Sequence, residues 1–302
     1  MALVLCYGEG KTTGILPVCI PEIDSDYQIT TVLGADDRVG IAGIIEAYTR
    51  VIEDGVDYPP IEFLFTVAEE VYGLGSAALD YSKIRSKIAF APDCSGEYGV
   101  YSSCEPSLIS FEVRIKGKAS HAGYELEKGI NAIAVAASAI SRIKQGWTDD
   151  HTTLNIGTIE GGSVTNAVPE RCIIKGEIRS DVHEDAYRTM DHVESIFSED
   201  AVRAGAKLWV DKKERITVYK IDVNARSGSA LDRYKRALEK QGKRAAAKKS
   251  FGGSDINSLI KHGMDGLNIY GPMHSIHTTE EYTTVREIIS FTELIKNLMT
   301  QP

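Results

Sequence analysis

A chain of 302 residues with 34 basic and 43 acidic side chains carries a formal charge of −9 and is long enough for roughly two domains at ~150 residues each. Its 43% apolar and 25% charged composition is that of a globular protein and excludes low-complexity and disordered classes. The acidic balance excludes a basic nucleic-acid or anionic-membrane surface, and no apolar run approaches the ~20 residues that span a bilayer.

Residues 1–35 read as extended segments and turns, because Gly8, Gly10, Gly14, Pro17 and Pro21 interrupt any regular element. From Val39 the pattern is helical: Ile41, Ile44, Ile45, Tyr48, Val51 and Ile52 recur at three- and four-residue spacing. Asp36-Asp37 stand at its start and Gly55 at its end. Ile61 to Val67 (IEFLFTV) predicts a strand buried on both faces. A small helix follows near Leu74–Leu79, then a strand over Lys87–Ala91. This alternation predicts an α/β sheet with parallel strands.

The middle of the chain predicts strands at Ser107–Lys116, Thr152–Ile159, Arg171–Ile178 and Lys207–Val210. Helices are expected at Ile130–Ile143 and Glu184–Ala204. That order is β-α-β-β-α-β, the split motif of ferredoxin-like domains. Helices over Gly228–Gln241 and Ser254–Lys261, a strand over Gly266–Tyr270 and an amphipathic helix over Val285–Met299 complete the chain. The expected organisation is a discontinuous domain, 1–104 with 216–302, interrupted by an α+β insert over 105–215.

Seven short features lie at strand ends or loops, where sheet proteins place their sites. Asp36-Asp37 reads alone as a helix N-cap. Glu69-Glu70 reads as a solvated strand exit, or as two carboxylates that divide ligation and proton transfer. Asp93 reads as a turn residue. His274 and His277 offer imidazole, a common zinc ligand, with Glu280 and Glu281 as first-turn acids of the last helix. In the insert, His121 sits on a small-residue turn, Asn166 in a glycine loop and Arg179 late in a strand. The five cysteines (Cys6, Cys19, Cys94, Cys104, Cys172) lack C-x-x-C spacing, which predicts a reduced, cytoplasmic protein.

Taken in order, these features resemble the co-catalytic dizinc family of aminoacylases, glutamate carboxypeptidases and tripeptidases. The resemblance runs from about Gly8 to Met299 and is strongest to the peptidase T branch, with its LGADD(K/R)xG and later TxxEE. It implies a zinc-exopeptidase-like mixed α/β sheet flanked by helices, with an inserted ferredoxin-like dimerisation domain. It implies two divalent metal ions, Zn with Co or Mn as variants. Asp36 would bridge them and lead into Asp37 through a cis peptide. Glu70 and His277 would serve one metal and Asp93 the other, with Glu69 as general base. Glu281 stands four after His277, as in the family's H-x-x-x-E. His121 would reach the partner subunit's site in a homodimer, and Asn166 and Arg179 would hold the substrate. The implied activity is hydrolysis of short peptides, tripeptides among them, through a metal-bound water.

Two departures stand out. The family carries an H-x-D element upstream of the bridging aspartate, and its histidine is a ligand. Here the first of seven histidines is His121. Aligned without a gap on Gly8, the H and D positions fall on Met1 and Leu3. The expectation is a chain beginning at or beyond that element, with one metal position weakened and an apolar sheet edge or face uncovered. The alternative function is therefore an impaired dimeric homologue that keeps perhaps one metal. Cys94 replaces a small residue beside Asp93, either as inert packing or as a thiol near a metal.

Overall fold

The computed structural model describes residues 3–6, 33–224 and 226–301. The calls on Met1, Gly8 to Pro21 and Cys19 lie outside them, as does the side chain of Cys6. The chain divides into two compact units, one of residues up to Glu105 and from Lys220 onward, the other Pro106–Tyr219.

In chain order the first unit begins with β1 (Leu3–Cys6), α1 (Ala35–Glu53), β2 (Glu62–Phe65), α2 (Leu74–Ala77), β3 (Ile88–Cys94) and β4 (Val100–Glu105). The second unit holds β5 (Ser107–Lys116), α3 (Ala132–Arg142), β6 (Gly146–Trp147), β7 (Thr152–Gly161), β8 (Arg171–Ser180), α4 (His183–Ala204) and β9 (Lys207–Ile216). The chain returns through β10 (Tyr219–Lys220), α5 (Ala230–Glu239), β11 (Ala246–Lys249), α6 (Asp255–Lys261), β12 (Asp265–Tyr270) and α7 (Val285–Met299). Among the described residues, no helix is long and apolar enough to cross a membrane.

The first unit is built on one sheet in the order β10-β4-β12-β3-β1-β2, with β11 joined to β4. The expected mixed α/β sheet flanked by helices is the one observed. The narrower expectation of parallel strands is corrected. β12 runs parallel to β3 and β11 to β4, but β1 is antiparallel to both its neighbours and β12 to β4. The two-residue alternation of β12 divides the layers. Leu267 and Ile269 enter a core with Ile44, Phe90, Tyr234, Phe291 and Leu298. Gly266 faces the opposite way, against Ile256 and Ile260 of α6.

The apolar run 61–67 is not a strand enclosed on both faces. Only Glu62–Phe65 is extended, and among the described residues β2 is the last strand of the sheet, paired with β1 alone. Phe65 is consequently 49% exposed and Val67, beyond the strand, 66%. Hydropathy marks such a run but does not say whether a second neighbour covers it.

The second unit is the ferredoxin-like arrangement expected of the insert. Its sheet order is β6-β7-β8-β5-β9, and every pairing is antiparallel. Alternate residues of β5 (Ile109, Phe111, Val113, Ile115) meet α3 and α4 through Ala136, Met190, Val193 and Phe197. Burial of the apolar stripes of α3 and α4 on one sheet face is what stabilises such a unit.

Candidate metal centre and active site

β3 and β12 are parallel neighbours, so their carboxyl ends emerge on the same side of the sheet, where α/β proteins place ligands. Asp93 is the penultimate residue of β3, not a turn residue after it. Its N–H donates to Asn268 Oδ1 of β12 at 3.2 Å. The loop after β12 carries His277 in the left-handed region, φ 63°. The loop after β2 carries Glu69 and Glu70.

Asp36 and Asp37 open α1 with non-helical dihedrals and a cis peptide between them. A Cβ on Gly40 would stand 2.0 Å from Asp37 Oδ1, so glycine at 40 makes room for that carboxylate over the first turn. Glu281 fixes the same segment from the far end of the chain. Its Oε2 accepts from Gly34 N–H at 2.6 Å and its Oε1 from Asp36 N–H at 2.8 Å. The reading of Glu281 as a first-turn acid is therefore corrected. α7 starts at Val285 with Thr284 as cap, and its first-turn acid is Glu287. Glu281 is 3% exposed, which two main-chain donors make tolerable.

His277 Nε2 lies 3.1 Å from Asp36 Oδ2 and 3.1 Å from Glu70 Oε2. Donor atoms of Asp36, Glu70 and His277 all fall within 4.8 Å of one another. Asp93 joins through a hydrogen bond with Asp36. Carboxylate oxygens plus one imidazole nitrogen are a donor set for zinc or a similar divalent cation. His274 secures the loop. Its Nε2 donates to Glu287 Oε1 at 2.9 Å, its ring stacks on Tyr282, and its main-chain N–H and that of Tyr282 each donate to the other's carbonyl.

The charges are strained against one another. Burial, then repulsion from Glu70, raises the Asp36 carboxyl, and His277 pulls it down. Asp93 is held well above the usual carboxylate range by burial, then by Glu69, Asp37, Asp36 and Glu105. Glu69 is pushed up to about 8 by burial, with Asp255, Glu70, Asp36 and Glu105 adding to it. Like charges at close range in a shielded site disfavour joint ionisation, and a bound cation reverses that balance.

Cys94 points elsewhere. It belongs to the apolar core, and burial pushes its thiol up to about 12. Glu105, which the sequence reading passed over inside an unrecognised strand, is 1% exposed. It accepts from Ser254 Oγ at 2.7 Å and from Asn268 Nδ2 at 2.8 Å.

The three remaining candidates lie in the second unit. His121 and Asn166 are neighbours: Ala122 N–H donates to Asn166 O at 3.1 Å, and His121 bridges to Ala167. Both are exposed. Arg179 is not with them. It pairs with Leu108, whereas Lys116, five residues before His121, pairs with Arg171. The eight residue steps of β8 from Arg171 to Arg179 span roughly 26 Å. Arg179 Nε donates to Glu177 Oε1 at 2.8 Å.

Comparison with known proteins follows the same division. Residues 105–204 match the family model described as a peptidase dimerisation domain of the M20 type. YqjE of Bacillus subtilis (strain 168) is 34% identical over 266 residues, 88% of this chain and 71% of that protein. Peptidase T of Alkaliphilus oremlandii (strain OhILAs) is 24% identical over 282 residues, 89% of this chain and 66% of its own length. The crystal structure of aminopeptidase PepT from Bacillus cereus ATCC 10987 superposes with TM-score 0.79 at 33% identity, covering 93% of this chain and 75% of that one. A tripeptidase from Staphylococcus aureus subsp. aureus mu50 gives 0.82 at 28% identity, covering 90% and 72%. The chain belongs to the M20 family of peptidases.

Proposed function

We propose that this chain is a metal-dependent exopeptidase of short peptides, in the first instance of tripeptides cleaved from their free amino end. The observation that carries the reading is the junction of His277 Nε2 with Asp36 and Glu70 at 3.1 Å each, beside carboxyl groups that repel one another. Likeness to an aminopeptidase and a tripeptidase structure supports the substrate class.

In this reading Glu70 and His277 hold one divalent cation, Asp93 the other, and Asp36 is shared. Zn²⁺ is the proposed ion, with Co²⁺ or Mn²⁺ as functional substitutes. When bound, such ions polarise a carbonyl and make water acidic. Glu69 stands beside Glu70 on the same loop with a raised affinity for a proton. It takes the proton of the attacking water and returns it to the leaving amine, as a general base and then a general acid. Asn166 and Arg179 hold the substrate's terminal carboxylate or carbonyl, and His121 steadies the oxygen on which charge develops. Because Arg179 lies at the opposite end of β8 from His121 and Asn166, one substrate does not meet all three from a single copy of this unit. A homodimer through the second unit supplies the second set, and the match to a dimerisation domain supports that assembly.

A second reading has its own observation. Asp36, Glu70 and His277 are the group of three donors found among the described residues, and Asp93 adds only a carboxylate for a second ion. The chain would then hold one metal and be catalytically impaired. Purified chain is titrated with Zn²⁺ or Co²⁺ and assayed on di- and tripeptides. Two tight ions per chain with release of amino-terminal residues is the expected result. One ion and no turnover by a folded protein selects the impaired homologue, and no ion at all removes both readings.

A further inference from the structure

The loop bearing Glu69 and Glu70 leaves the sheet at a poorly restrained place. Among the described residues β2 is paired on one side, and the loop places two non-glycine residues in the left-handed region, Ala68 at φ 55° and Tyr72 at φ 65°. Such conformations persist only where the surroundings over-determine them. Part of the restraint is local: Gly73 N–H donates to Glu69 O at 2.7 Å and Gly75 N–H to Val67 O at 3.0 Å. The rest comes from a distant part of the chain. Asp255, the first residue of α6, is 1% exposed. Its Oδ2 accepts from Thr66 Oγ1 at 2.5 Å. Its Oδ1 takes no hydrogen bond from a described residue and lies 3.2 Å from where a Cβ on Gly73 would stand.

One carboxylate therefore underlies both ends of the loop, gripping Thr66 at its entry and abutting Gly73 at its exit. Burying it unpaired at one oxygen is unfavourable for folding, and nothing in the local secondary structure demands it. A helix N-cap does not explain it, since Ser254 and Asn257 already form a capping box there.

We propose that Asp255 is a positioning residue for the Glu69–Glu70 loop, acting through the Thr66 hydroxyl to set where those two carboxylates stand relative to Asp36 and His277. The proposal rests on the metal-site reading above. Its test uses the full chain and Co²⁺, read by visible absorption, in Thr66→Val and Thr66→Ser. Valine keeps the shape and removes the donor, whereas serine keeps the donor. The Thr66→Val protein is expected to bind Co²⁺ about 10- to 100-fold more weakly, as for other groups that orient metal ligands. Its ligand-field bands should shift, and kcat should fall more than KM rises. Thr66→Ser is expected to restore affinity and spectrum to near wild type. If Thr66→Val does not fold, Thr66→Ala carries the same comparison without added bulk. Wild-type affinity and spectrum in the valine variant overturn the proposal and leave the metal site standing. Equal loss in valine and serine variants also overturns it. A wild-type chain that binds no Co²⁺ overturns the metal reading and this proposal together.

Discussion

The metal-ligand candidates of the first unit and the substrate candidates of the second are held in different ways. Asp36 is fixed through its main chain by Glu281, Asp93 through its main chain by Asn268, and Glu69 and Glu70 ride a loop tied to Asp255. Each tie joins parts of the sequence far apart, so these groups come together only in the folded unit. His121 and Arg179 bond to near neighbours in sequence, Gly123 and Glu177, and the Asn166 carbonyl accepts from Ala122 N–H on another loop of the same unit. Side chains that repel one another need imposed geometry, and the fold supplies it at the first site. His121 and Asn166 are exposed, Arg179 is half-buried, and all three have partners within their unit, so they acquire a common purpose only from something outside it.

Glu69→Gln tests whether the first site separates proton transfer from metal binding. We expect kcat on a tripeptide to fall by about 10²- to 10⁴-fold, with Co²⁺ affinity changed by no more than a few-fold. Equal loss of metal affinity would make Glu69 a ligand and erase its distinction from Glu70.

His121→Ala sharpens the other side of the comparison. Loss of one group that stabilises a developing oxyanion lowers kcat by about 10²- to 10³-fold. If His121 serves the partner's site, mixing and reassembling the His121→Ala and Glu69→Gln chains restores about a quarter of wild-type activity, because half of the dimers contain one intact site. No recovery, in mixtures shown to exchange subunits, would place His121 in the site of its own chain.

How far these regions could be read beforehand follows from the same contrast. The order of long elements in the second unit is legible, because β5 alternates Ile109, Phe111, Val113 and Ile115 against polar neighbours and α4 carries a regular apolar stripe; β9 continues past the expected Val210 to Ile216, and the short β6 is not expected. Alternation between a core face and a solvent face leaves that pattern however far away in sequence the pairing strands lie. In the first unit β4 was missed: its run VYSSCE is buried with small polar side chains rather than by hydropathy. β11, with sequence AAKK, is fully exposed and has the composition of a helix. Asp36, Glu70 and His277 were recognisable only as members of an ordered set, since nothing near Glu70 announces His277, 207 residues away. Glu281 was visible as part of H-x-x-x-E, but its role was not. Accepting two main-chain N–H groups depends on where Gly34 and Asp36 are brought, which no spacing records.

His277→Ala reads the site as metal affinity. Removing the imidazole takes away a ligand and leaves Asp36 and Glu70, and Co²⁺ binding at that position is expected to weaken by more than the ~100-fold that loss of an outer, orienting group produces. The stoichiometry distinguishes the two metal positions. One ion should remain at wild-type affinity if Asp36 and Asp93 hold a site of their own. If both ions are lost together, the site is a single cooperative unit and the division of ligands fails.

Cys94 bears on the boundary between the site and its core. It follows Asp93 directly, yet alternation along β3 turns it to the opposite face, into the cluster that includes Tyr101, Tyr234 and Tyr270. Burial raises the thiol to about 12, so the thiolate needed for metal ligation or alkylation is scarce. Cys94→Ala is expected to lower stability by about 1 kcal/mol, the central value for a core truncation of this size. It should leave Co²⁺ affinity, stoichiometry and kcat unchanged, and the native thiol should resist alkylation until the chain is unfolded. A sulfur-to-cobalt charge-transfer band in the wild type that disappears in Cys94→Ala would show that the strand does not separate the two faces. Asp93 and Cys94 would then have to be treated as one site.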